Sequence, residues 1–329
     1  MASVVIVTPH YAPETNAAAR RITSLVEGLL AAGWDVAVVT LLPHYPQNRI
    51  FQGFDVPTPD VRDEDGVRVV RLRPRIVPKD SLPLRIFSET LFCVGALPHL
   101  LRPKPDLILA TSPYMFLGQL GLLASRLASA KFVWDVRDLT WLYPKAAGKR
   151  TYGLDRPVEA LMRWTARRAD GLATATDGLL EYFGRRPERA MVFANGVSDS
   201  WLEQLLAIPK PTVVDRPVVM YAGLLGYNQN ITTFLDVASL LPEIDLVIAG
   251  DGPERPKLED RARTLALTNV KFLGFLSQDE LLAAYSRADV LIAQLRGDPV
   301  HRWSQPSKLW EYLATGRPVV YAGEGDTID

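Results

Sequence analysis

One cysteine in 329 residues leaves nothing for it to pair with. Cys93 therefore excludes an intrachain disulfide framework and any cysteine-based metal site, and a reducing compartment is the simplest fit. The four histidines, His10, His44, His99 and His301, are scattered without metal-ligand spacing. Neither sign of charge is in excess: Lys plus Arg is 37 and Asp plus Glu is 37, which argues against a dedicated nucleic-acid binder. Long apolar runs are missing as well. Spanning a bilayer takes about 20 apolar residues, and the Val4 to Val7 run is far too short for a signal peptide. The loop after the first strand also lacks the three-glycine dinucleotide fingerprint. Asn16, Ala17 and Ala18 stand where small residues let a ligand approach, which lowers the prospect of a nicotinamide enzyme.

What is present is a succession of short, β-branched apolar runs, each followed by a loop and a helical pattern. Ser3 to Thr8, SVVIVT, reads as a strand buried on both faces, which is the mark of a parallel sheet. A helix from about Ala17 to Ala32 ends at Gly33, and Asp35 to Leu41 completes a βαβ unit. Pro43 to Asp65, polar and proline-rich, reads as a long loop. Strands at Gly66 to Leu72, Asp106 to Ala110, Lys131 to Val136 and Gly171 to Thr176 continue the series. Prolines at 209, 211 and 217 mark a junction. A second series then follows, with strands at Val218 to Ala222, Asp245 to Ala249, Val270 to Leu273 and Val290 to Ala293. The chain is too long for one typical core. The expected organisation is an N-terminal α/β domain over 1–200, a linker over 201–216 and a second α/β domain over 217–329.

The stretch richest in chemistry is Gln305 to Val320, QPSKLWEYLATGRPVV, which reads as a loop, a short helix and a strand. Pro306 and Ser307 suit a helix start, and Gly316 and Pro318 suit its end. Free N–H groups beside Lys308 favour a phosphate. Glu311 lies one turn on, where a carboxylate accepts hydrogen bonds from sugar hydroxyls. An ordinary amphipathic helix with solvated Lys and Glu fits this stretch equally well. Two glycine-bearing loops, Gly223 to Gly226 and Gly250 to Gly252, follow strands on the same predicted edge. Together these three features point to a nucleoside-diphosphate site, although each glycine alone reads as a tight turn. In the N-terminal half, Asp135, Arg137 and Asp138 end a parallel strand at the ligand edge. A local salt-bridged turn is their alternative reading.

These pieces carry a family resemblance over nearly the whole chain: PHYAPETNAAARR, DLILATSPYMFLG, KFVWDVRD, NGV, YAGLLGYNQN, IAGDGPERPKLE and PSKLWEYLATGRPVV. The chain resembles the retaining glycosyltransferases of the GT-B fold, glycosyltransferase family 4-like, in the branch that builds bacterial surface polysaccharides. The resemblance implies two Rossmann-like doubly wound domains facing a cleft. A nucleoside-diphosphate sugar would bind the C-terminal half and a glycan or lipid-linked glycan acceptor the N-terminal half. It implies donor-binding roles for Gly223, Gln229, Gly252, Ser307, Lys308 and Glu311, with Lys308 and Glu311 as the catalytic pair. Asn16, Asp135, Arg137 and Asp138 are the acceptor-side candidates. No metal and no cofactor are expected. Retention would follow a front-face path in which the leaving diphosphate helps remove the acceptor proton. Trp303 stands where the wider family has a second glutamate, and its usual Arg and Lys contacts after the first C-domain strand are missing. The family continues past the Val319 strand, so the chain reads as a fragment or truncated product. A nucleotide-sugar epimerase of the same fold and a non-catalytic nucleotide-sugar-binding remnant are the alternatives.

Lipid-linked acceptors imply a cytoplasmic protein that reaches the inner face of the cell membrane. The candidate surface is 71–101, where Arg71, Arg73, Arg75, Lys79 and Arg85 surround an apolar helix with Phe87, Leu91 and Phe92. A core helix with solvated arginines around it is the plainer reading and the favoured one.

Overall fold

The β-branched runs form strands covered on both faces, and they assemble into two separate sheets. The computed structural model describes residues 1–45, 48–77, 81–143, 148, 153–184, 189–209 and 216–327. It divides into two units, Met1–Ala194 and Asn195–Asp329.

In the first unit the elements are β1 (Ser3–Val7), α1 (Ala17–Ala31), β2 (Asp35–Leu41), β3 (Asp60–Glu64), β4 (Val67–Leu72), α2 (Leu82–Leu100), β5 (Leu107–Thr111), α3 (Leu117–Ala128), β6 (Lys131–Val136), α4 (Asp155–Arg168), β7 (Gly171–Thr174), α5 (Asp177–Phe183) and β8 (Ala190–Val192). Among the described residues the sheet order is β3-β4-β2-β1-β5-β6-β7-β8, parallel except for the β3–β4 pair. Val4, Ile6, Val36, Val38, Val67 and Val69 pack with Ile22 and Val26 of α1 in one core. The chain winds outward from β1 in both directions, so the strand order reverses between β1 and β5. Such a switch point opens a crevice beyond the carboxyl ends of the strands.

The second unit holds α6 (Asp199–Leu206), β9 (Val218–Ala222), α7 (Thr232–Leu240), β10 (Asp245–Ala249), α8 (Arg255–Thr264), β11 (Val270–Gly274), α9 (Gln278–Arg287), β12 (Val290–Gln294), α10 (Lys308–Ala314) and β13 (Val319–Ala322). Its sheet is parallel throughout in the order β11-β10-β9-β12-β13, with the switch point between β9 and β12. Strand alternation feeds two cores. Met220, Ala222 and Leu291 face one with Leu309 and Tyr312, while Tyr221, Ile248 and Ile292 face the other with Leu235 and Leu258.

Three features differ from the sequence reading. The 43–65 loop contains β3, a charged edge strand, DVRDE, that pairs antiparallel with β4. Asp65 and Gly66 both take positive φ in the turn between them, the geometry an Asp-Gly hairpin favours. The division between units falls ahead of the 201–216 stretch, because Trp201 and Leu205 of α6 are buried in the second unit's core. Part of that stretch lies outside the described residues. Finally, Arg71 is not a surface cation. It is 1% exposed, and its Nη2 donates to Glu64 Oε2 at 2.8 Å and to the Ala12 carbonyl at 2.9 Å. Phe92 is buried too, while Leu84, Phe87, Leu91 and Val94 form an exposed stripe on α2. Lys79 lies outside the described residues. No helix among the described residues is long and apolar enough to cross a membrane.

Candidate functional site

The second unit concentrates polar chemistry at its switch point. β9 ends at Ala222, and Gly223 follows with φ +146°, a conformation that side-chain-bearing residues rarely adopt. A Cβ there would lie 2.5 Å from Lys308 Nζ, so the glycine makes room for the ammonium. Lys308 opens α10. Its Nζ donates to Tyr221 Oη at 2.5 Å and sits 3.9 Å from the Tyr221 ring centroid. Tyr221 Oη in turn donates to the Leu224 carbonyl at 2.8 Å. Burial raises the phenol's pKa well above its ordinary value, so it stays protonated. Burial also pulls the Lys308 ammonium down to about 7, against the nearby Glu311 carboxylate, which favours the charge. Although the residue keeps some exposed surface, its charged end is poorly hydrated. A cation held this way gains more from a phosphate than a solvated one.

Tyr312 bolts α10 to β9. Its hydroxyl accepts from the Ala222 N–H at 2.8 Å and donates to the Ala222 carbonyl at 2.9 Å. β12 pairs with β9 only at Val219 and Met220, so this phenol satisfies backbone groups that have no strand partner. The two strands can part here, where a ligand would enter.

The other sequence candidates take distinct places. Glu311 Oε2 lies 3.5 Å from Tyr285 Oη. Gln229 closes a short 3-10 turn, and its side-chain oxygen folds back over Gly226. Gly252 is needed for close packing between loops, because a Cβ would strike the Leu225 carbonyl. Gly250 abuts the Gly223 backbone in the same way. Ser307 does not cap α10: its backbone is already helical and its side chain makes no capping bond. The short helix thus brings Lys308 to the site, and the lysine rather than a capped helix end supplies the positive pole.

Arg296 was not anticipated. It follows β12, its N–H donates to the Asn228 carbonyl at 2.9 Å, and its guanidinium lies 4.2 Å from the Tyr227 ring centroid. It places a cation, paired with Asp298 Oδ2 at 3.4 Å, on the loop after β12 rather than on the loop after β9. A basic residue directly after an apolar strand at the switch point was the available signal.

In the first unit, Asn16 caps α1 by accepting from Ala19 N–H at 3.0 Å, and its amide donates to Glu14 Oε2 at 3.0 Å. Asp135 is a correction. It is 2% exposed, and its oxygens accept from Arg21 Nη2 at 3.0 Å, Arg21 Nε at 3.4 Å and Thr111 Oγ1 at 2.8 Å. Arg21 in turn donates to the Phe193 and Ala194 carbonyls at 2.6 and 2.8 Å. Asp135 therefore ties α1, β5, β6 and the end of β8 together and presents nothing to a ligand. Arg137 has its pKa lowered by burial, against the raising pull of Asp135 and Asp138. Its N–H donates to Ser112 Oγ at 3.0 Å, so this turn is anchored to the neighbouring strand's loop.

Comparison with known proteins now decides the family. Residues 16–196 match the glycosyl transferase 4-like domain, and residues 216–327 match the glycosyl transferases group 1 family. The chain belongs to these glycosyltransferases. A protein of Escherichia coli strain K12 named as a colanic acid biosynthesis glycosyl transferase, WcaI, is 27% identical over 97% of this chain and 82% of its own. A GDP-mannose-dependent alpha-mannosyltransferase of Mycolicibacterium smegmatis is 28% identical over 99% of this chain and 81% of its own. Among solved structures, the sucrose-phosphate synthase of Thermosynechococcus elongatus superposes with TM-score 0.73 at 18% identity, over 99% of this chain and 82% of that one. HepE of Anabaena, solved with UDP and glucose, gives 0.64 at 17% identity over 100% and 82%. The fold of this glycosyltransferase is GT-B, built from two α/β domains with parallel sheets.

Proposed function

We propose that this glycosyltransferase moves a sugar from a nucleoside-diphosphate sugar to a hydroxyl of a glycan or lipid-linked glycan, with retention of anomeric configuration. The observation that carries the reading is the Lys308 ammonium, desolvated against Tyr221 and Gly223 at the switch point of the second unit. A leaving diphosphate would be stabilised there, which is the main lever when no covalent intermediate forms. Arg296 is a second cation for the same group. Gln229 and Glu311 are assigned to the donor's polar edges, and no metal is required in this scheme. Named relatives use GDP-mannose or were solved with UDP, so the base is left to experiment. Melting-temperature shifts across a panel of nucleotide-sugars identify the donor, since a ligand of the folded state raises stability. Proton NMR of the first-formed product then reads the anomeric configuration. An inverted product, or release of a free 2-epimer without any acceptor, would overturn the proposal.

A relative's name supports a place in polysaccharide assembly, and from the surface of the first unit we propose contact with an anionic inner membrane surface. The exposed stripe Leu84, Phe87, Leu91 and Val94 beside exposed Arg73, Arg75 and Arg85 is the surface proposed. Each cation near such a surface contributes about 1 kcal/mol. Cosedimentation with anionic vesicles should weaken with salt. It should fall further when Arg73, Arg75 and Arg85 become serine, and equal binding to neutral vesicles would refute the idea.

A further inference from the structure

At the carboxyl edge of the first unit's sheet, four polar residues from two loops converge on one carboxylate. Glu14 follows β1, and its side chain is 1% exposed. Its Oε1 accepts from the His44 and Tyr45 N–H groups, both at 2.8 Å, and its Oε2 accepts from His10 Nδ1 at 2.6 Å and Asn16 Nδ2 at 3.0 Å. All the lone pairs a carboxylate offers are used. Glu14 can therefore serve a ligand only through the groups it holds.

Those groups are two imidazoles. The carboxylate fixes the proton of His10 on Nδ1. His44 Nδ1 lies 2.9 Å from the Leu42 carbonyl, an acceptor, which fixes its proton in the same place. Nε2 of each ring is then an acceptor, and neither has a hydrogen-bond partner among the described residues. The rings stack at 5.9 Å and 24°, with Tyr45 edge-on to His10 at 5.5 Å. Their side chains keep 14% and 12% of their surface exposed, so solvent and solute reach them. Burial lowers the His44 pKa, despite the raising effect of Leu42 and Glu14, which keeps that ring neutral. Burial also works to raise the Glu14 pKa, but the bonds from His10, His44 and Tyr45 outweigh it and hold the group ionised. No group of metal ligands of useful size is found among the described residues. Two imidazole Nε2 edges beside an aromatic ring, at a switch-point edge, suit a ligand rich in hydroxyl donors.

We propose that His10 and His44 accept hydrogen bonds from hydroxyls of the acceptor sugar, and that Glu14 is the positioning residue that orients both rings. This rests on the transferase reading above and names the acceptor-side residues of that reaction. With the leaving diphosphate taking the acceptor proton, the imidazoles bind and orient rather than abstract.

The test has two arms. Nitrogen-15 NMR of the histidine rings in the whole protein should show both in the Nδ1–H form, the less common one for free histidine, and a panel of octyl glycosides should shift Nε2. In kinetics with the same glycosides, His10→Ala should raise the acceptor KM about tenfold, the worth of one good hydrogen bond. Its melting temperature, and the rise in that temperature on adding donor, should match the wild type, which shows that the variant is folded. His10→Gln, whose side-chain oxygen accepts, should recover part of the loss, and Glu14→Gln should disturb the ring tautomer. An Nε2–H form, or an unchanged acceptor KM in His10→Ala with the melting temperature intact, overturns the proposal. A wild-type protein that transfers to no glycoside defeats the parent reading instead. The ring spectra still decide this one, because the absence of any Nε2 shift with every glycoside refutes it.

Discussion

Lys308→Ala is expected to lower turnover by roughly 10²- to 10³-fold, the usual cost of removing one preorganised group that stabilises developing charge. The loss should fall mainly on turnover, because charge on the departing diphosphate grows as the glycosidic bond breaks. A pH signature accompanies it. With its pKa pulled down to about 7, Lys308 in the free enzyme loses its charge as pH rises through neutrality. The donor kcat/KM should therefore fall on the alkaline side of pH 7, and this limb should vanish in Lys308→Ala. The stability linkage runs the other way. Between about pH 7 and the ordinary lysine range, the unfolded chain binds the proton that the folded chain releases, so this residue makes folding more favourable as pH rises. Unchanged turnover in Lys308→Ala with the true substrates would remove the lysine from the mechanism.

Asp135→Ala should cost about 3–5 kcal/mol of stability, because it leaves the Arg21 guanidinium buried with its charge partner gone. Arg21 would keep the Phe193 and Ala194 carbonyls, and Thr111 Oγ1 would lose its acceptor. Urea unfolding followed by circular dichroism measures the loss. The residue was read from sequence as an acceptor contact or a salt-bridged turn, and the burial of the pair separates these two. Undiminished stability with abolished transfer would restore the ligand role.

How much of this was legible depends on the range over which each signal acts. Parallel strands such as SVVIV and VLIAQ announce themselves locally, because both faces are buried and all but one end position is apolar. The charged strand β3 hid inside a polar loop, although Asp65-Gly66 marked its hairpin. Arg71 looked like part of a basic surface, since its partners, Glu64 and Ala12, are 7 and 59 positions away. Lys308 and Gly223 were legible as separate motifs at strand ends, and the parallel topology that joins them followed from the strand pattern. The glycines at 250 and 252 read alone as a tight turn, and the close approach of two loops that they permit is set by residues about 27 positions away. The histidine pair was invisible: His10 and His44 are scattered in sequence and have no metal-ligand spacing, and only a carboxylate lying between their two loops makes them a unit.

The Tyr312 hydroxyl bears on how such a domain can diversify. By standing in for a missing strand partner at Ala222, it ends the shared register of β9 and β12 before either loop begins. The segments that follow, 223–230 and 295–307, leave the shared strand register and meet instead through the Arg296 N–H bond to the Asn228 carbonyl. Away from that tie, either can exchange residues without disturbing a strand register and without exposing an unpaired backbone group at Ala222. A single phenol thus separates the strand frame from the loops that line the crevice, so a change of donor base or sugar need not be accompanied by a change of fold.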